Sequence, residues 1–191
     1  NEFPGQQWYR DGDGDGFGSS LTILDSSLIC QSQGVSDVAG DCDDSRAASH
    51  PGAPEYCNGE DDNCDGTTDE DSAVDAPTWY QDSDSDGYGS SVSTQACAQP
   101  SGYTTNATDC DDSRGLSYPG ATEYCNGFDD NCDGTTDESS AADASTWYQD
   151  SDGDGYGSTI STLAYTQPSG HTSNATDCDD SRGLSYPGAT E

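Results

Sequence analysis

Repetition limits the fold of this 191-residue chain more than any other feature. WYRDGDGDGFG at 8–18 returns as WYQDSDSDGYG at 79–89 and as WYQDSDGDGYG at 147–157. DCDDSRAASHPGAPEYCNG at 41–59 returns as DCDDSRGLSYPGATEYCNG at 109–127, and 177–191 matches 109–123 at every position. EDDNCDGTTDE at 60–70 returns as FDDNCDGTTDE at 128–138. A period of about 68 residues with near-identical copies predicts a tandem array, in which one small unit recurs and packs on its neighbours. The modules are read as 1–71, 72–139 and 140–191, the third lacking its last quarter. Either the chain continues a longer array or a neighbouring copy supplies the missing block, and the first reading is preferred.

Such a unit cannot rely on an aliphatic core. Leu, Ile, Val and Phe together number 16, while 38 acids face 4 bases for a net charge of −34. Apolar burial is therefore too small to offset chain entropy. The sign of the charge excludes bare nucleic acid and anionic membranes as partners and favours cations. No run of 18 apolar residues exists, so no membrane span is expected. Nine cysteines in an Asp-rich chain suggest an oxidising, secreted or cell-surface setting. Short strands are expected at each WY pair and within LTILDSSLIC, SVSTQACAQ and TISTLAYTQ, with essentially no helix. The expected fold class is a tandem repeat of small, mostly irregular β modules stabilised by calcium and disulfides.

The acids fall into three spacings. The first is D-x-D-x-D-G: Asp11, Asp13, Asp15; Asp82, Asp84, Asp86; Asp150, Asp152, Asp154. Alternate carboxylates converge on one cation, Gly at the sixth place permits a sharp turn, and Phe17, Tyr88 or Tyr156 then offers a carbonyl oxygen. The bidentate Glu of an EF-hand is missing, since Thr22, Ser93 and Ser161 occupy the twelfth place. The second is D-C-D-D-S with P-G-A-x-E. It supplies Asp41, Asp43, Ser45 and Glu55; Asp109, Asp111, Ser113 and Glu123; Asp177, Asp179, Ser181 and Glu191. Asp44, Asp112 and Asp180 face the other way and are expected to bridge to the first loop. The third is D-x-N-x-D-G-x-x-D-E: Asp61, Asn63, Asp65, Asp69, Glu70 and Asp129, Asn131, Asp133, Asp137, Glu138. These oxygen-only sets suit Ca2+, at about two to three ions per module.

The DxDxDG and DxNxDGxxD loops resemble thrombospondin type 3 repeats. The DCDD…PGAxExCNGxDDxCDGxxDE pattern more closely resembles the bacterial metal-binding repeat of the MopE type. The resemblance covers the second half of each module and implies secretion, calcium loops and a surface or adhesive role. Its copper chemistry does not carry over to a chain without Met, whose His50 and His171 occupy different module positions.

The cysteine spacings favour Cys57–Cys64, Cys125–Cys132, Cys30–Cys42 and Cys97–Cys110, although spacing does not fix connectivity. Cys178 is left over, because Tyr165 stands where Cys97 does. The recurring Trp and Tyr residues read as a mini-core over the metal loops. Arg46, Arg114 and Arg182 read as carboxylate clamps. Asn106-Ala-Thr and Asn174-Ala-Thr fit the glycosylation sequon, which adds glycans to the partners considered.

The expected function is a calcium-held structural array: a rod, stalk, adhesin spacer or self-assembling fibre. The alternative is a calcium buffer or mineral-nucleating polyanion. No enzyme is expected, because no His recurs in register and no nucleophile motif appears.

Overall fold

A computed structural model describes residues 7–20 and 34–189. Among these there is no helix and there are eight short strands: β1 Tyr9–Arg10, β2 Val35–Ser36, β3 Thr78–Gln81, β4 Ser93–Gln95, β5 Tyr103–Thr104, β6 Ser145–Gln149, β7 Ser161–Ala164 and β8 His171–Thr172. The aromatic pairs sit in β3 and β6 as the sequence predicts, and Tyr9 opens β1. β4 and β7 occupy the two later predicted segments, whereas LTILDSSLIC with Cys30 and Thr22, and also Glu191, lie outside the described residues. β2, β5 and β8 are new, being too short for alternation to reveal.

Contacts divide the chain into two units, Asn1–Trp79 with Ser93–Ser101, and Tyr80–Val92 with Gly102–Glu191. In the first, β1 and β2 are antiparallel, with Tyr9 opposite Ser36. Trp79 donates its indole N–H to the Ala96 carbonyl at 2.9 Å, seating the ring half-buried. In the second, Tyr80 of β3 pairs with Thr104 of β5, and β6 lies between β7 and β8 in an antiparallel sheet. Trp147 repeats the indole contact on the Ala164 carbonyl at 3.1 Å. Each aromatic strand ends where its Asp loop begins, because the loop's N–H groups turn to carboxylates in place of a ladder.

Burial in these units is small and polar. The buried apolar residues are Ala53, Ala73, Ala76, Ala96 and Ala141, while the largest fully buried side chains are Asp62, Asp130, Ser49 and Ser117. Asp130 accepts from the Asn126 amide at 2.6 Å, the Tyr124 N–H at 3.2 Å and the Ser117 hydroxyl at 3.4 Å, with Arg114 at 3.4 Å. Asp62 repeats this with Asn58 at 2.7 Å, Ser49 at 3.3 Å and Arg46 at 3.5 Å. A buried carboxylate so surrounded is compensated, and it stands where a hydrophobic residue would in an ordinary core. The Arg residues do clamp carboxylates, through one nitrogen instead of a fork. Arg46 also pairs with Glu60, whereas Arg114 lies 3.5 Å over the ring of Phe128, the residue in that place one repeat later.

The disulfides overturn the pairing expected from spacing. They are Cys42–Cys64, Cys110–Cys132 and Cys57–Cys97, spanning 22, 22 and 40 residues. The physical cause is the Pro-Gly turn, which lays the second motif along the third. His50 N donates to the Asp62 carbonyl at 2.9 Å and Gly52 N to Asn63 at 3.3 Å, bringing Cys42 to Cys64. Cys57 is thereby released and reaches Cys97, a residue of the second module's sequence. Cys125 is the repeat equivalent of Cys57, but Tyr165 replaces its partner and its thiol is free, as is that of Cys178. Burial first, and then the nearby Asp143, push the Cys125 thiol above its ordinary pKa.

Candidate metal centres

Each D-x-D-x-D-G loop is folded by its own carboxylates. Asp82 accepts the N–H of Ser85 at 2.7 Å on one oxygen and of Gly87 at 3.2 Å on the other. Asp84 accepts from Asp86 N at 3.3 Å, and Asp86 from Tyr88 N at 2.8 Å. Asp11, Asp13 and Asp15 repeat the pattern, as do Asp150, Asp152 and Asp154. The sixth-place glycines Gly16, Gly87 and Gly155 have φ of 95°, 95° and 89°, which a side chain would resist. Their carbonyls are braced from β2, β5 and β8: Ser36 donates to Gly16, Thr104 to Gly87 at 3.2 Å and Thr172 to Gly155 at 3.0 Å. Asn106 and Asn174 add their amide N–H groups at 3.2 and 3.1 Å, so both sequon nitrogens brace a loop.

Spending one oxygen on the backbone leaves the other. Oδ2 of Asp13 and Asp15, of Asp84 and Asp86, and of Asp152 and Asp154 is buried without a partner. The same holds for Oδ2 of Asp41, Asp109 and Asp177, whose Oδ1 atoms accept from the N–H two residues on at 2.8, 2.9 and 3.0 Å. The carboxylates of Asp84, Asp86 and Asp109 present oxygens all within 4.8 Å of one another. Burial is the chief reason that Asp41, Asp84, Asp109 and Asp152 are held above the usual carboxylate pKa, with the neighbouring acids adding to it.

Asp44, Asp112 and Asp180 do reach the first loop, by hydrogen bonding. Asp112 takes the Ser83 N–H at 2.6 Å and its hydroxyl at 2.8 Å, and Asp180 does the same to Ser151. Asp44 takes the Gly12 N–H at 2.5 Å and lies 3.7 Å from Arg10. The remainder of the second motif divides. Asp43, Asp111 and Asp179 accept from the hydroxyls of Ser45, Ser113 and Ser181. Glu55 and Glu123 are buried under the third loop. Glu123 accepts from Asp130 N at 2.9 Å, Asn131 N at 3.1 Å and Asp137 N at 3.2 Å, and Glu55 from the equivalent amides. The second motif thus forms no loop of its own, because its acids are drawn to the structures on either side.

The third loop closes locally. Asp61 accepts from Asp65 N and Gly66 N at 3.2 and 3.0 Å, and Asn63 from Asp65 N at 2.9 Å. The Thr67 hydroxyl lies between the carboxylates of Asp65 and Glu70, and its hydrogen bond to Asp65 holds that carboxyl below the usual carboxylate pKa. Glu70 Oε2 is buried without a partner, as is Oε2 of Glu138 in the matching loop of Asp129, Asn131, Asp133 and Thr135. Asp69 and Asp137 turn aside to accept two N–H groups each, those of Asn58 with Gly59 and of Asn126 with Gly127.

The rings of Phe17, Tyr88 and Tyr156 stack on His50, Tyr118 and Tyr186 at 4.8, 5.3 and 5.4 Å. His50 is therefore a stacking partner in the place of a tyrosine. Sequence reasoning missed these stacks, the buried Asp62 and Asp130, and the hydroxyl braces. Their recurrence in register was the available signal.

A cation fits these sites. Buried, partnerless carboxylate oxygens in groups are costly unless a positive ion neutralises them. The donors are oxygens, and the cysteines beside Asp109 are joined as a disulfide and offer no thiolate. Residues 41–70, 109–138 and 177–191 match the family model Cu-binding_MopE, described as "Putative metal-binding motif". No curated protein and no solved structure gives a significant match. Three segments of the chain thus resemble the MopE-type motif, the third over its first half alone, and they lie in small β modules that hold three disulfides among the described residues.

Proposed function

We propose that this chain is a calcium-binding structural array of the cell exterior, a spacer, stalk or fibre subunit whose modules are held by Ca2+ and disulfides. One observation carries the reading: partnerless buried carboxylate oxygens recur at the same loop positions in all three repeats. Oxygen-only, acid-rich loops with a Gly turn suit Ca2+ better than copper or zinc, which favour imidazole and thiolate. Three disulfides accord with an oxidising exterior. Cys57–Cys97 ties residues of two successive modules, as a load-bearing array would need. Commitment of the first-loop and third-loop acids to defined hydrogen bonds favours ordered sites over a loose buffer or mineral nucleator. The chain's role is non-enzymatic in this reading, and glycans have no part in it.

Ion binding would then be folding energy, since the unfolded polyanion has no preformed sites. Excess EGTA is expected to abolish the ordered circular dichroism signal and expose the chain to protease, with Ca2+ restoring both. A protein unchanged by EGTA refutes the proposal. Electron microscopy of calcium-loaded material separates fibre from monomeric spacer.

A further inference from the structure

We infer that each D-x-D-x-D-G loop shares one cation with the D-C-D-D segment following it in the chain. The described residues then hold five ions, in three composite centres and two local ones, instead of one per acidic motif. The inference rests on the calcium reading and concerns which residues hold each ion.

The composite centre takes its ligands from both sides of the family motif's boundary. The matched segments begin at Asp41, Asp109 and Asp177, so Asp13, Asp15 and their equivalents lie upstream of them. Yet the oxygens without partners belong to both groups: Asp13, Asp15 and Asp41; Asp84, Asp86 and Asp109; Asp152, Asp154 and Asp177. Asp41 is 7 % exposed, so its free Oδ2 faces the protein interior. In the second repeat the three carboxylates reach within 4.8 Å of one another. Three anions at that separation form one site for a divalent ion, and two separate ions could not be accommodated there without mutual repulsion.

The backbone enforces the meeting. Asp41, Asp109 and Asp177 donate their N–H groups to Gly18, Gly89 and Gly157 at 3.1, 3.0 and 3.0 Å, fixing the second segment beside the end of the first loop. Of the other second-motif acids, Glu55 spends both oxygens on three amides and Asp43 gives its Oδ1 to Ser45, so neither adds a buried partnerless oxygen for a separate ion. One ion therefore clips two segments separated in sequence by β4 and β5 in the second repeat and by β7 and β8 in the third, as a cross-link closing a loop would.

The third repeat gives the cleanest test, because no local loop follows it among the described residues. Native mass spectrometry of the full chain, at Ca2+ just saturating for the wild type, is expected to count five ions. Asp152→Asn and Asp177→Asn should each leave four, and the double variant should also leave four, because both remove the same ion. Asp179→Asn, whose carboxylate is held by Ser181, should keep five. Five ions in Asp177→Asn, three in the double variant, or eight in the wild type would overturn the sharing. A wild type binding no ion that EGTA removes would instead refute the calcium reading itself.

Discussion

Replacing Glu123 by Gln in the calcium-loaded protein should cost about 3–5 kcal/mol of stability while leaving the ion count unchanged. Glu123 is buried, and its carboxylate accepts three backbone N–H groups: Asp130 and Asn131 on Oε2, and Asp137 on Oε1. Glutamine keeps the shape but supplies one acceptor oxygen. Seated at Oε2, that oxygen keeps two amides as a neutral acceptor, losing about 1 kcal/mol for each. The new amide group then faces the Asp137 N–H donor to donor, leaving a backbone group unsatisfied at about 1–3 kcal/mol. Glu55→Gln should cost the same, since its amides lie at 3.0, 3.0 and 3.3 Å. Guanidinium unfolding in excess Ca2+, followed by tryptophan fluorescence, gives the stability, and native mass spectrometry gives the ions. A loss below about 1 kcal/mol would refute the capping argument. Disappearance of one ion would return Glu123 to the ligands, where the sequence first placed it.

Gly89→Ala should destabilise by about 2–3 kcal/mol in thermal melts, because a Cβ there would lie 2.6 Å from the Asn106 carbonyl oxygen and 2.8 Å from Tyr80 Cβ. An unchanged melting temperature would contradict the packing of the loop on its strand. Tyr165→Cys should form a disulfide with Cys125, restoring the link that Cys57–Cys97 makes one repeat earlier, so the reactive thiol count falls by one. A count that rises by one counts against the equivalence. Acid should weaken Ca2+ binding: with Asp41, Asp84, Asp109 and Asp152 raised above 3.8, the ion-free fold holds protons that the unfolded chain has released. An ion-free fold therefore loses stability as pH rises from 3.8 through the folded values, in keeping with unfolding by EGTA at neutral pH, and in the acid range the ion must displace those protons. Asp65, Asp133 and Asp180, lowered by hydrogen bonds, act in the opposite sense below 3.8. Calorimetry in buffers of different ionisation enthalpy should show proton release on Ca2+ binding just above 3.8, and a pH-independent affinity there would refute it.

The sequence by itself determined everything local. The alternation of Asp with Gly at the sixth place dictates the first and third loops, because a carboxylate two residues before an N–H captures it whatever the remote chain does. The aromatic pairs determine β3 and β6 in the same way, and the PGA-x-E and DCDD copies reveal the family motif. Tertiary structure decided what meets what. A second carboxylate oxygen is left open to an ion only where remote backbone leaves it buried and unpaired, as at Asp41 and Asp109 but not at Asp43, Asp69 or Glu55. Disulfide pairing was undecidable for a related reason. In a periodic chain a contact within a module and one to the next look alike in sequence, so Cys57 had eligible partners at both 64 and 97. The lay of the Pro-Gly turn along the third loop assigns Cys64 to Cys42 and sends Cys57 onward, which no spacing rule encodes.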